Sequence, residues 1–433
     1  MRNNHIHHNP TPSPSPIGRG AYKNFKKVFV PKSHKMRLFL FLALPIGEGW
    51  VGCVFAQTKT LPQIIEIAHR NNQLLKTGIL DIEGQQMLVK TAKELPKTNL
   101  DLQFGRTQVV SMSDYTLGFS QQFSHPKVYQ AHSNLLLSQV ESSRKTLEVR
   151  KAEITSLVKH YYYQLLYYQA FTQNLIQQDS LYRSALRAAE LRLKVGETNL
   201  LEKVSAETRL QEINNRQANL ASNMAIAYQQ LKTLMNSQEE FKIDFSLPLK
   251  KNNSLIINAL TIENNPILAF QKQQTVISQQ QIELEKMKLK PDFRVGVLNQ
   301  SIEHRANQLA VSGGIGIPIF TQAQKARIGA SQINEKISQS NLQYVENQLL
   351  SQLNILKKEY EKQQNSLNYY EQFALPQADL LLINSMKSYK SGEIEYVEFV
   401  QNSQQAWQIK EAYLETILNY NQTIIQIETL LGE

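Results

Sequence analysis

A tandem repeat with a period of 196 residues organises this chain: Lys194-Val195-Gly196-Glu197 recurs as Lys390-Ser391-Gly392-Glu393. The apolar positions after each glycine match without a gap. Leu200, Val204, Leu210, Ile213, Leu220, Met224, Tyr228, Leu231 and Leu234 fall on Tyr396, Val400, Ala406, Ile409, Thr416, Tyr420, Ile424, Ile427 and Leu430. Each half reads as helix, two short strands, one very long helix, glycine, helix. A duplicated unit of this kind is not the plan of an enzyme. It is the plan of part of a barrel that several copies complete.

Between Pro126 and Pro248 there is no proline, and Gly196 is the only glycine. Gln, Asn, Leu, Ala, Lys and Glu dominate the stretch and favour uninterrupted helix. Residues 127–194 as one helix would reach roughly 100 Å at about 1.5 Å per residue. No small core is that long, so the helix must lie beside similar neighbours. Apolar intervals of three and four after Gly196 supply the seam for that packing. The Gln, Asn and Ser on the other faces suit the wall of a water-filled conduit, and plain solvated faces equally well.

The formal net charge of +10 is concentrated at the start. Residues 1–56 hold eight Lys/Arg and one Glu, so the remaining 39 basic and 36 acidic residues leave only +3. That body offers no basic stripe for nucleic acid. Met36-Arg37, the apolar run Leu38–Leu44 and the end at Val54-Phe55-Ala56 have the form of a secretory signal peptide, with cleavage before Gln57. Initiation is expected at Met36, residues 1–35 being an over-called start or an extended leader. Cys53 is the only cysteine, and a leader cysteine that is discarded is favoured over a lipidation site. No later segment approaches 18 consecutive apolar residues, so membrane insertion would have to be by strands.

Each half changes period once, from helical to alternating. Leu100, Leu102 and Phe104, then Tyr115, Leu117 and Phe119, alternate with polar or small residues in the first half. Phe293, Val295 and Val297 follow Pro291 in the second half, and Leu309–Ile319 carries Leu309, Val311, Ile315, Ile317 and Ile319 on one face. The other face of that run has only Ala, Ser, Gly and Pro. Such alternation fits a transmembrane barrel strand and also an amphipathic strand in a soluble sheet. A hairpin between long helices has open edges, and four strands are too few to close a barrel, so closure needs several chains. Met112–Asp114 and Glu303–Asn307 are expected as the connecting loops.

Taken together, these residues resemble the TolC family of outer-membrane efflux channels over about residues 57–432. The resemblance lies in the duplicated order, the paired turns at Gly196 and Gly392, and Ile317-Pro318-Ile319-Phe320 leading into Lys325-Ala326-Arg327-Ile328-Gly329. Leu375-Pro376-Gln377-Ala378 upstream of Tyr389-Lys390-Ser391-Gly392 is similar to members serving heavy-metal and multidrug pumps. The resemblance implies a mainly α fold with a small membrane β-barrel. Three chains, each giving four strands, would form a 12-stranded β-barrel above a trimeric α-barrel. The expected parts are a leader (1–56), a first repeat (57–255; strands 99–123, helices 127–194 and 198–236) and a second (256–433; strands 292–320, helices 324–390 and 394–431). The implied role is the duct of a tripartite pump for drugs or metal cations, in the outer membrane with a periplasmic extension. The implied partners are two further copies, outer-membrane lipid, a periplasmic adaptor and an inner-membrane pump of RND type.

The resemblance also assigns roles at the helix turns. An acid six residues after the second glycine lines the family's periplasmic constriction, and here it is Glu398. A second acid three residues on is replaced by Gln401. The family's latch pairs a tyrosine three before the second glycine with an acid six after the first, which are Tyr389 and Glu202. A basic latch residue two after the second glycine is missing, because Ile394 stands there. Val195, Gly196, Ser391 and Gly392 are expected at the tips that meet the adaptor.

No enzymatic motif is present: the chain lacks G-x-S-x-G, a phosphate-cradling glycine loop and H-E-x-x-H. His69, His125, His132, His160 and His304 do not fall at metal-ligand spacing, so no metal or other cofactor is expected. Trp407 is expected in a helix seam. Tyr161-Tyr162-Tyr163 and Tyr167-Tyr168 read either as an interfacial aromatic patch near the barrel or as helix packing. The rival is a periplasmic coiled-coil scaffold or adaptor without a channel. A scaffold has no use for the apolar strand Leu309–Ile319, and an adaptor carries Gly- and Val-rich β domains that are missing here.

Overall fold

The computed structural model describes residues 58–106, 113–246, 248–250, 261–302 and 305–433. The leader with Met36 and Cys53, the loop residues Met112, Glu303 and His304, and the end of the segment 237–256 expected to belt the tube lie outside the described residues. The chain runs β1 (Thr58–Lys59), α1 (Leu61–Asn71), α2 (Gln73–Val89), a 3-10 turn, β2 (Asn99–Gly105) and β3 (Asp114–Phe123). It continues as α3 (Pro126–Lys194), α4 (Leu200–Met235), β4 (Lys242–Ile243), α5 (Pro266–Met287), β5 (Asp292–Ile302) and β6 (Arg305–Gly316). It closes with α6 (Gln322–Tyr369), α7 (Leu375–Ser391) and α8 (Tyr396–Leu431).

Helix α3 is a single rod of 69 residues, about 100 Å long at the rise of an α-helix. Pro126 opens it, where the missing amide costs nothing. The rod packs against α2, α4, α5 and α8, while α6 and α7 pack on α8. Apolar burial therefore comes in separate clusters along the shaft. One joins α1, α3, α4 and β4, a second joins α6 to α8, and a third lies at the glycine turns. No helix among the described residues is long and apolar enough to cross a membrane.

β2, β3, β5 and β6 form one antiparallel sheet in that order. Register aligns Leu100, Phe119, Val297 and Val311 across all four strands, with Phe123, Phe293 and Ile315 in another row. These side chains are exposed or half-buried on one face of the sheet. The opposite face carries Asp101, Gln103, Ser120, Gln122 and Ser312. β2 and β6 are edge strands with no partner on their outer sides among the described residues.

Three boundaries differ from expectation. The last strand stops at Gly316 rather than near residue 320, because Pro318 has no amide for the ladder. Arg305 already pairs with Ile302, so the loop expected at 303–307 is shorter. The helix expected over 324–390 is broken by a π turn at Tyr370–Ala374. Pro376 follows at once, and its missing amide and bulky ring prevent a regular α-turn there. The tyrosines are settled in favour of packing: Tyr162 and Tyr163 are buried far down α3 from the sheet, and the Tyr162 hydroxyl donates to the Asp244 carbonyl at 2.6 Å. Trp407 is buried against Tyr182 and Phe399 in the third cluster.

The repeat is sewn together midway by a pair of asparagines. Asn72 caps α2 by accepting from the Leu74 amide, and its Nδ2 donates to the Leu234 carbonyl at 2.9 Å. Asn265 caps α5 by accepting from the Ile267 and Leu268 amides, and its Nδ2 donates to the Leu430 carbonyl at 2.8 Å. Leu234 and Leu430 are equivalent positions of the repeat. Each asparagine closes the start of one helix and the end of another, both of which otherwise leave unpaired backbone groups.

Candidate functional site

The shaft ends where α3 turns into α4 and α7 turns into α8. Gly196 and Gly392 stand at φ of 77° and 75°, a left-handed conformation that a side chain resists. The Glu197 amide reaches back to the Arg192 carbonyl and the Glu393 amide to the Ser388 carbonyl, both at 2.9 Å, the bond pattern of a Schellman turn. The positive φ is sufficient backbone reason for glycine at both turns.

The two turns come together around Tyr389 and Glu202. Tyr389 is fully buried between Phe399, stacked at 5.0 Å, and Tyr396 at 5.9 Å. Its hydroxyl donates to the Glu202 carboxylate. That carboxylate also accepts from the Thr198 hydroxyl and from Arg192 Nη1 at 3.5 Å. The Arg192 guanidinium lies 5.6 Å from the centre of the Tyr389 ring. Glu202 is the third residue of α4, where its amide is capped by Asn199 at 3.2 Å and its charge faces the positive helix end. Burial, then the bond to Glu202, holds the Tyr389 hydroxyl well above its ordinary pKa of 10.0.

Arg192, Thr198 and Asn199 escaped sequence reading. The basic position expected after the second glycine holds Ile394, and Arg192, four residues before the first glycine, supplies a cation to Glu202 instead. Spacing held a signal: Thr198 stands just before the N-cap Asn199 of α4, within reach of Glu202 in the first turn.

The remaining positions are exposed in the single chain. Glu398 lies one repeat from Glu202 but is exposed in the first turn of α8, and among the described residues it has no hydrogen-bond or ion-pair partner. Gln401 is exposed one turn further on. Val195 and Ser391 are exposed beside the two glycines, and Leu191, Leu200, Leu201 and Val397 extend an apolar surface round the turns. Among the described residues no cluster of His, Cys, Asp and Glu could hold a metal ion. The chemistry on offer is ion pairing, hydrogen bonding and apolar docking.

No protein family is matched by the sequence, and no curated protein sequence resembles it. Solved structures do match. The outer-membrane channel OprN superposes with a TM-score of 0.74 at 14% identity, over 86% of this chain and 89% of that one. The outer membrane protein VceC from Vibrio cholerae gives 0.72 at 14%, over 86% and 96%. CusC, a protein solved for its folding and transmembrane channel formation, gives 0.72 at 15%, over 90% and 95%. Nearly the whole of each channel is thus covered by the sheet and shaft of this chain, which has the TolC-type fold of the outer-membrane channels.

Proposed function

We propose that this chain forms a trimeric duct in the outer membrane, the outer part of a tripartite efflux pump exporting drugs or metal cations. One observation carries the reading: a four-stranded sheet with an apolar outer face and two open edges, mounted on a shaft of about 100 Å. Apolar strands need lipid or protein to cover them, and open edges need strands from other copies. Three copies pairing β2 of one with β6 of the next meet both needs. The shaft then extends into the periplasm, towards an adaptor and an inner-membrane pump of RND type.

In this duct the tips are the gate. Tyr389, Glu202, Arg192 and Thr198 latch the α7–α8 turn to the α3–α4 turn. Glu398, repeated round the threefold axis, forms a ring of carboxylates that narrows the pore and favours cations, with Gln401 a neutral second ring. The exposed surface round Val195, Gly196, Ser391 and Gly392 receives the adaptor, which opens the latch.

Membrane fractionation, heat-modifiable migration and planar-bilayer conductance of detergent-purified protein test this together. A trimer in the outer-membrane fraction with a small, cation-preferring conductance is the expected result. A soluble periplasmic monomer or dimer without conductance overturns it in favour of a coiled-coil scaffold.

A further inference from the structure

All four strands of the sheet meet the shaft at the same end. Asn99 opens β2, Phe123 of β3 pairs with Phe293, and Asp292 of β5 pairs with Gly316 of β6. Basic side chains collect just beyond that end. Lys93 and Lys97 precede β2, Lys127 opens α3, Lys288 and Lys290 join α5 to β5, and Lys325 lies in the first turn of α6. All six are exposed.

Acids there are fewer and partly engaged. Glu285 takes Lys288 at 2.7 Å and Gln324 at 2.8 Å, and Glu283 takes Lys286 at 2.7 Å. Asp292 accepts from Gln122 at 3.5 Å, and Glu94 remains. Among the described residues, Lys93, Lys97, Lys127, Lys290 and Lys325 have no carboxylate oxygen within 4.0 Å. Unpaired cations gathered at one level are costly through mutual repulsion unless an anion shares that level.

A groove of about 520 Å³ cuts through this collar. Lys97 and Lys288 line it together with Leu95, Val128 and Leu284, and the rest of its wall includes Tyr129, His132, Ser124 and one acid, Glu94, against the two lysines. Leu95, Leu88 and Met87 are exposed and carry the apolar surface on along α2. The apolar row Phe123–Phe293–Ile315 ends only a few residues above. With the sheet in a bilayer, the lysines would sit at the depth where hydrocarbon gives way to headgroup, and where lysine chains extend their ammonium groups to the polar side. Cations beside an apolar wall match a phosphate diester that carries acyl chains.

We propose that this collar binds anionic phospholipid headgroups of the leaflet on the shaft side, with one lipid seated in the groove between Lys97 and Lys288. The inference rests on the channel reading, which puts the sheet in a membrane. An anionic surface attracts each nearby lysine with a preference of roughly fivefold, so several lysines together select strongly among lipids. The attraction is electrostatic at an exposed surface and weakens with salt.

The test is lipid retention. Purified trimer is reconstituted with equal parts of phosphatidylethanolamine and phosphatidylglycerol, extracted again in mild detergent, and its bound lipids are counted by native mass spectrometry. Phosphatidylglycerol is expected to be enriched on the wild-type trimer. In the variant Lys93→Gln/Lys97→Gln/Lys288→Gln/Lys290→Gln that enrichment should fall roughly tenfold or more, with trimer mass and conductance kept. Equal retention of the two lipids by wild type, or unchanged enrichment in the variant, overturns the collar. So does a variant that loses its trimer while its lipid composition stays the same, since a neighbouring copy then covers the groove. Wild-type protein that never inserts as an oligomer defeats the channel reading itself. Insertion without enrichment defeats only this inference.

Discussion

Glu202 and Glu398 are the same residue one repeat apart, with opposite surroundings. Glu202 is nine-tenths buried and takes three donors, whereas Glu398 is exposed with none among the described residues. The difference comes from what stands opposite: Arg192 and Thr198 in the first turn, and Ser388 and Ile394 at the matching places of the second. Tyr389→Phe removes a hydrogen bond to a charged acceptor, a change of about 1.5 kcal/mol while Arg192 and Thr198 still hold the carboxylate. The expected outcome is faster hydrogen exchange at the tips and a larger resting conductance, with trimer assembly intact. Alkali should act on the same bond. Below pH 10.0 the phenol is protonated in folded and unfolded chains alike, and the packing contributes fully. Above it the unfolded chain releases a proton that the folded tip keeps, so this stability is lost as pH rises towards the raised folded pKa. Tip exchange measured against pH should show that loss in wild type, and Tyr389→Phe should lack it. Glu398→Ala should leave stability within about 0.5 kcal/mol, as exposed substitutions do, yet reduce cation preference and divalent-cation block in single-channel recordings. Unchanged block would remove Glu398 from the gate.

Helices and strands were legible to the extent that each is governed by local chemistry. The long helix, the alternating strands and the left-handed glycines follow from the absence of breakers, the two-residue period and the backbone at a turn. What escaped depends on residues far apart in the chain. Asn72 and Asn265 look like ordinary polar residues until the ends of α4 and α8 are laid beside them. The π turn escaped because apolar periodicity runs on through Leu375-Pro376, and only the missing amide shows that the ladder must open. The tip pairing of Tyr389 with Glu202 was reached through family likeness and not through spacing, since 187 residues separate them. The paired asparagines make a test at this scale. Asn265→Ala loses a cap and a bond to the Leu430 carbonyl, together about 2 kcal/mol. Asn72→Ala should cost somewhat less, because Asn72 caps one amide where Asn265 caps two. Chemical unfolding of the two variants in detergent, compared with the double variant, checks both values. Near-additive losses are expected, because the two junctions share no partner.

At the scale of the whole molecule the unmet needs of one chain decide the reading. A soluble sheet buries its apolar face against a second layer, and the described residues put no helix over Leu100, Leu102, Val311 or Ile315, all more than 60% exposed. Sequence periodicity could not separate a membrane strand from a soluble one, since both alternate. Register adds to periodicity by assembling the exposed residues of four strands into one continuous face with no cover among the described residues, as the proposed barrel requires. Val311 lies in the row that crosses all four strands and is 80% exposed. Val311→Lys puts a charge on that face without touching the core, so the isolated chain should fold as before. In a bilayer the same lysine costs about 2–4 kcal/mol near the midplane, and a trimer carries it three times. Expected, therefore, are normal helical content in detergent and a sharp loss of spontaneous insertion into lipid vesicles. Ser312→Lys, one residue along and on the polar face, is the control and should insert much as wild type does. If Val311→Lys inserts as readily as Ser312→Lys, the apolar face does not meet lipid and the chain is no barrel.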